Sequence, residues 1–405
     1  MESNVNAYGT PFGKQIVRAR NEYFFTADGE AYFDLFSSAG VANFGHNNPT
    51  IKARLMDYLQ QDGPVHSLDF FTSAKADFIH LFETTVLPQR YRGYYHYYFA
   101  PPAGTLAIEA AIKYARNATG RREVACFTNA FHGLSYNALS LTGNATKRKS
   151  AYTDLASVLR LPYEHYLGTD VDAIALYEQL LNDESSGYGL PAAVIFETIQ
   201  AEGGLHTCSG AWYEGLLALC ARKGIVTIAD EIQVGCGRAG GFFSFEALSQ
   251  TYPDIICLAK SLSGFGLPMS LVLVKKELDT LNPGENSGTF RGNTLAVQSA
   301  CFMLDMFASS TFRQQLTGNE QILRQAMAEL AGRCPVRGRH MIHGIELENT
   351  ATAKQVLEQL RNEHILVEQC GGQSRVIKIM PPLTCVPNNL QQALDTVVRT
   401  VCDHT

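Results

Sequence analysis

Short apolar runs, separated by amphipathic stretches, set the pattern of the middle of this chain. Residues 124–127 (VACF), 192–196 (AAVIF), 225–229 (IVTIA), 255–259 (IICLA) and 269–274 (MSLVLV) lack polar alternation and favour β-branched side chains. Runs of this kind read as strands buried on both faces of a parallel sheet. Helical patterns lie between them. Ile108, Ala111, Ile112 and Ala115 share one side of a helix, with Lys113 and Arg116 outside, and residues 212–222 carry apolar Leu216, Leu217, Leu219 and Cys220. Strand–helix alternation over residues 122–274 predicts an α/β fold whose mostly parallel sheet is covered on both faces.

The pattern differs on either side. Residues 23–35 (YFFTADGEAYFDL) place aromatic runs around Ala27-Asp28-Gly29, which predicts a hairpin. A break at residues 44–49 precedes a helix at 51–59, and His46 within it is read as a loop histidine satisfying nearby backbone. After Gly292 the spacing predicts helices at 293–307 and 312–330, strands at 336–348, 365–368 and 376–380, and a closing helix at 389–401. The expected organisation is a large domain at 49–292 and a smaller α+β domain at 293–405, joined by the N-terminal segment 1–48.

Composition narrows the function. The 405 residues are 46% hydrophobic and 18% charged, ordinary for a globular protein with a large core. A net charge of -6 and a pI near 6.0 give no basic footprint, so nucleic acid is excluded as an expected partner. No apolar run reaches the roughly 18 residues a membrane span needs, and the first residues show no secretory signal. The ten cysteines form no CxxC pair, the pattern of reduced thiols in the cytoplasm with no metal site.

The chemistry starts where the strands end. Glu197, Asp230 and Lys260 each follow an apolar run, at the carboxyl ends where open α/β sheets place ligands. Asp230 and Lys260 on these residues alone fit either an active-site floor or an ion pair at the sheet rim. Gly104-Thr105 opens a helix, and free amides there suit a phosphate or merely a cap. Phe131-His132-Gly133 follows another strand. A cofactor combining a phosphate, a flat ring with a basic nitrogen and an aldehyde would use Asp230, Lys260, the helix start and Phe131 together, and pyridoxal phosphate is that cofactor.

With these residues in place the chain resembles the class III (subgroup II, ω-type) aminotransferases of pyridoxal-phosphate fold type I. The wording that carries the resemblance is YFDLFSSAGVANFGHNNP, GTLAIEAAIKYAR, FTNAFHG, FETIQAEGG, ADEIQVGCGRAG, CLAKSLSG, GTFRGN and IKIMPPLT, spread from Tyr23 to Thr384. QDGPVHSLDFFTSAK and SLSGFGLPM are similar to the diaminobutyrate–2-oxoglutarate aminotransferases in particular. The resemblance implies that Lys260 is the Schiff-base lysine and proton carrier, and that Asp230 pairs with the ring nitrogen. It implies that Gln233 bonds the ring hydroxyl oxygen, Phe131 stacks on the ring with His132 beside it, and Ala103, Gly104 and Thr105 hold the phosphate. Thr289 is expected to join them from a neighbouring subunit, which implies a homodimer.

For substrates, the family pattern places an acidic gate at Glu202 and a carboxylate-binding cation at Lys378, where many relatives carry arginine. Lysine cannot grip a carboxylate bidentately, so the clamp on glutamate must differ; a plain surface pair with Glu202 is the other reading of Lys378. Ala39 stands where ornithine-specific relatives carry tyrosine. Ala103 and Leu106 depart from the hydroxyl and polar residues usual in the phosphate loop, and one lost hydroxyl contact implies about 1–3 kcal/mol less retention of the cofactor. The expected reaction is L-glutamate plus L-aspartate 4-semialdehyde giving 2-oxoglutarate plus L-2,4-diaminobutyrate. Other ω-amines such as 4-aminobutyrate, and aminomutase or racemase chemistry, are the alternatives.

Overall fold

In the computed structural model the alternating region forms one seven-stranded sheet. All residues except 1, 2, 4, 150, 155 and 156 are described. The strands are β1 (Tyr95–Ala100), β2 (Val124–Phe127), β3 (Val158–Leu161), β4 (Ala193–Phe196), β5 (Val226–Asp230), β6 (Ile255–Leu258) and β7 (Ser270–Lys275). They lie in the order β1-β7-β6-β5-β4-β2-β3. β4, β5 and β6 pair in parallel, as does β2 with β3 and β4, while β7 is antiparallel to both its neighbours. Between Leu258 and Ser270 the chain makes only the 3-10 turn Lys260–Ser263, too little for the helical crossover that a parallel return requires.

Two of these strands are absent from the hydrophobic pattern. β1 runs through the tyrosine-rich tract, where Tyr95 donates to the Pro253 carbonyl at 2.6 Å and Tyr97 to Glu83 at 2.9 Å. Aromatic residues suit a pleated surface, but their hydroxyls blur the apolar periodicity. β3 is an edge strand and carries Arg160, whose guanidinium donates to the carbonyls of Ser140 and Leu141.

Alternate residues of the central strands serve opposite faces, as strand geometry requires. Val226, Ile228, Ile255 and Cys257 pack beneath α1 (Gly104–Thr119). Ala229, Ile256 and Leu258 face the other way, into a core shared with Phe196, Trp212 and Met303. Ser209 caps helix Gly210–Lys223 on that side by accepting from Trp212 N.

The predicted hairpin forms between Tyr23–Thr26 and Ala31–Asp34, with Gly29 at φ +88° in its turn. Ile16–Arg20 extends it on one side, and on the other Ile365–Leu366 adds a parallel strand from the far end of the chain. A second antiparallel sheet holds Val336–Arg339, Ile342–Glu346, Val376–Ile379 and Glu368–Cys370 in that order. Helices Ser310–Leu330 and Pro387–His404 pack together beside it. The ring of His46 does not bond backbone as expected: its Nε2 lies 2.7 Å from Asp34 Oδ2. The nearby carboxylate is the stronger partner. All ten cysteines are free, and among the described residues no single helix is long and apolar enough to cross a membrane.

Candidate active site

β5 and β6 end side by side, and their terminal charges take different partners. Asp230, the last residue of β5, places Oδ2 2.8 Å from His132 Nδ1, and its Oδ1 accepts from Ile232 N at 3.1 Å. Lys260 opens the turn after β6 with φ +50° and donates from Nζ to the Ala39 carbonyl at 3.0 Å. The rim ion pair is therefore not what these residues form. A cavity of about 160 Å³ lies between them, lined by Gly104, Thr105, Phe131, His132, Glu197, Glu202, Asp230, Gln233 and Lys260.

One end of the cavity is the start of α1. Ala103 occupies the cap position and offers no side-chain hydrogen bond, so the first amides of the helix keep their donor capacity and positive dipole end. Thr105 Oγ1 bonds the Ser135 hydroxyl and accepts from Ser135 N at 3.1 Å. Gly133 sits directly against it at φ +118°, where an added Cβ would come 2.5 Å from Thr105 Oγ1. The glycine is there because the two segments touch.

Phe131 is set by its neighbour strand: its N–H donates to Glu197 Oε2 at 3.0 Å. Glu197 is buried, and burial, then the charge of Asp230, pushes its carboxyl well above the usual carboxylate range. Sequence reading noted this residue only as a strand-end charge. Its position one strand over from β5 was the available signal.

The opposite wall is backbone. Ser37, Ser38 and Ala39 all hold left-handed dihedrals, φ +49°, +48° and +59°, a conformation that costs non-glycine residues energy and persists only when the surroundings enforce it. Asp34 enforces it by accepting from Phe36 N at 3.0 Å and Ser38 N at 3.2 Å. The fully buried Arg238 enforces it too, donating to Asn43 Oδ1 at 2.6 Å, Ser37 Oγ at 3.3 Å and the Met341 carbonyl at 3.0 Å. Arg238, part of the ADEIQVGCGRAG wording, thus acts on the wall and not in the cavity. Gln233 Nε2 donates to the Ala39 carbonyl at 3.0 Å and to Glu202 Oε1 at 3.1 Å.

Lys378 and Glu202 meet at 2.5 Å, and this is not a plain surface pair, because the lysine side chain is fully buried and Glu202 is only partly exposed. Glu368, unnoticed in the sequence, is a second carboxylate 3.1 Å from Lys378. Burial would lower the Lys378 ammonium and raise Glu202. Their mutual charge prevails, holding Lys378 above the ordinary lysine range and Glu202 at about 2. Desolvation lowers the Lys260 amine, an effect that Glu202 partly offsets.

Ala103, Ala39 and Lys378 do not line the cavity but adjoin residues that do, through the helix cap, the carbonyl bonds to Lys260 and Gln233, and the pair with Glu202; Thr289 has no such link. It is exposed, its carbonyl accepts from His66 Nε2 at 2.6 Å, and it lines no part of the cavity.

Comparison with known proteins agrees with the fold. The model of the family described as aminotransferase class-III matches residues 5–401. A diaminobutyrate–2-oxoglutarate transaminase of Bordetella parapertussis is 43% identical over 100% of this chain and 94% of its own length. One of Vibrio cholerae is 40% identical over 99% and 98%. Among solved structures, a transaminase from the marine bacterium Virgibacillus superposes with a TM-score of 0.86 over 96% of this chain and 93% of its own, at 18% identity. An S-selective transaminase from Bacillus megaterium gives 0.85 over 100% and 95%, at 20% identity. The chain belongs to the class-III aminotransferase family.

Proposed function

We propose that this protein transfers an amino group between L-glutamate and L-aspartate 4-semialdehyde, forming 2-oxoglutarate and L-2,4-diaminobutyrate. The full-length similarity to transaminases named for diaminobutyrate supports the substrate. The observation that carries the chemistry is the convergence in one cavity of a lysine, a histidine-backed carboxylate and an uncapped helix start.

The residues fit pyridoxal phosphate as cofactor. His132 Nε2 and Gln233 Oε1 are buried polar atoms without a protein partner at this cavity, the mark of a place built to receive a polar molecule. Gly104 lets the helix start lie against Ile232 and Gly133 lets its segment lie against Thr105, where added Cβ atoms would come within 2.9 and 2.5 Å, so the free amides that suit a phosphate sit at the cavity. When bound, the cofactor supplies an aldehyde carbon that takes up amines and a pyridine ring that draws electrons from the carbon next to the nitrogen.

In this reading Ala103, Gly104 and Thr105 bind the phosphate through backbone and one hydroxyl, with Thr289 of a second copy completing it in a homodimer. Phe131 covers one face of the ring. Asp230, held by His132, keeps a proton at the ring nitrogen, and Gln233 orients the ring oxygen. Lys260, whose amine burial lowers from the ordinary lysine range, accepts and returns the proton at the reacting carbon. Glu202, Lys378 and the Ala39 carbonyl hold the far end of the substrate. The buried, free thiols support a cytoplasmic setting, and with divisions proposed near residues 48 and 292 the Ala39 carbonyl belongs to the N-terminal segment and Asp230 and Lys260 to the large domain. The test is direct: purified enzyme given L-2,4-diaminobutyrate and 2-oxoglutarate should form L-glutamate. Failure to form it overturns the substrate assignment.

A further inference from the structure

We infer that Glu368, acting beside Lys378, recognises the α-ammonium at the non-reacting end of a substrate, so that the site prefers diamino monocarboxylic acids to ω-amino acids lacking that group. The inference rests on the function proposed above and identifies what reads its substrate.

Glu368 and Lys378 are directly opposed residues of an antiparallel pair, close enough for their side chains to share one task. Lys378 meets two carboxylates, Glu202 Oε1 at 2.5 Å and Glu368 Oε2 at 3.1 Å. Among these three groups two anions surround one cation, and the other cation whose charge reaches them is Lys260, the amine that the cofactor would occupy. The side chains of Lys378, Glu368 and Glu202 are only 0%, 10% and 21% exposed, so water does little to offset the surplus anion, and an uncompensated charge in such surroundings is costly.

The spare capacity is on Glu368. Its Oε1 accepts from the Tyr8 hydroxyl at 2.5 Å. Its Oε2 is buried and, although near Lys378, receives no hydrogen bond. That oxygen is suited to an ammonium donor brought by a ligand. Glu202 lines the cavity and also bonds Gln233, so the cluster begins at the cavity wall that faces Lys260.

The charge sum then discriminates among amines. An ω-amino acid such as 4-aminobutyrate brings a bare carboxylate, adding to the surplus. A distal α-amino acid head brings a carboxylate for Lys378 and an ammonium for Glu368, and adds no net charge. The aldehyde partner of a diamino acid carries the same head, so both directions of the reaction use it.

The test compares wild-type holoenzyme with Glu368→Gln in single-turnover half-reactions, followed by cofactor absorbance, with L-2,4-diaminobutyrate, 4-aminobutyrate and L-glutamate. Loss of one buried charge-assisted hydrogen bond should lower kcat/KM for diaminobutyrate about ten- to a hundredfold, chiefly through KM. The values for 4-aminobutyrate and glutamate should hold or rise, and Glu368→Asp should recover part of the preference. An unchanged ratio of diaminobutyrate to 4-aminobutyrate overturns the inference. Independently of any variant, L-homoserine, which has the head but no second amine, should inhibit the wild type more strongly than 4-hydroxybutyrate. Equal inhibition in an enzyme that still converts glutamate overturns the role of Glu368 and leaves transamination standing. Wild-type enzyme that converts none of the three amines overturns both.

Discussion

His132 Nδ1 lies 2.8 Å from Asp230 Oδ2, with the two side chains 0% and 6% exposed. The contact fixes the direction in which a buried carboxylate can present its remaining oxygen. His132→Phe keeps the bulk but removes the bond. A buried charged hydrogen bond is worth about 1.5–3 kcal/mol, so kcat should fall about ten- to a hundredfold while the fold, checked by circular dichroism, is retained. His132→Gln should recover part of the loss.

Lys260 is the only lysine lining the cavity among the described residues. Borohydride reduction should therefore link the cofactor covalently to the wild-type protein, and peptide mass mapping should find it on the segment CLAKSLSG. In Lys260→Ala no covalent cofactor should form at any residue, although the cofactor can still bind.

Gly133 meets two constraints at once, φ +118° and an added Cβ 2.5 Å from Thr105 Oγ1. Gly133→Ala must shift the Thr105–Ser135 contact. Cofactor affinity, measured by reconstitution of the apoenzyme, should weaken about tenfold or more, the effect expected of backbone strain plus a displaced hydrogen bond. Gly120→Ala, at an open helix end with nothing near its added Cβ, should leave affinity unchanged.

Glu231 sits beside Asp230 yet points into the core, accepting from Ser244 N at 2.8 Å and Ser244 Oγ at 2.5 Å. Burial pushes its carboxyl up from 4.5 to about 8. Between those two pH values the folded protein keeps a proton that the unfolded chain releases. Its contribution to stability is complete below the lower value and is lost as pH rises through the upper one. Urea midpoints should fall across that window in the wild type, and Glu231→Gln should flatten the slope.

The alternating core was legible because β4, β5 and β6 are buried on both faces and must be written in apolar residues. Asp230 and Lys260 stood out because charge interrupts that writing. β1 and β3 were not legible, since tyrosine hydroxyls and Arg160 satisfy backbone carbonyls that sequence spacing does not reveal. Glu368 was missed for a related reason. Its partner Lys378 lies on another strand, and only the register of the second sheet brings them face to face. Arg238 sits in a motif that names a cofactor site, yet its work is to brace a loop some two hundred positions earlier in the chain, as its bond to Asn43 shows.

That loop carries Ala39, whose main-chain oxygen receives both Lys260 and Gln233. A carbonyl belongs to every amino acid, so this anchor cannot be removed by changing the residue that carries it. Position 39 is therefore free to vary in size during evolution. A larger side chain there could trim the room available to substrates while the amine and amide stay tethered where they are.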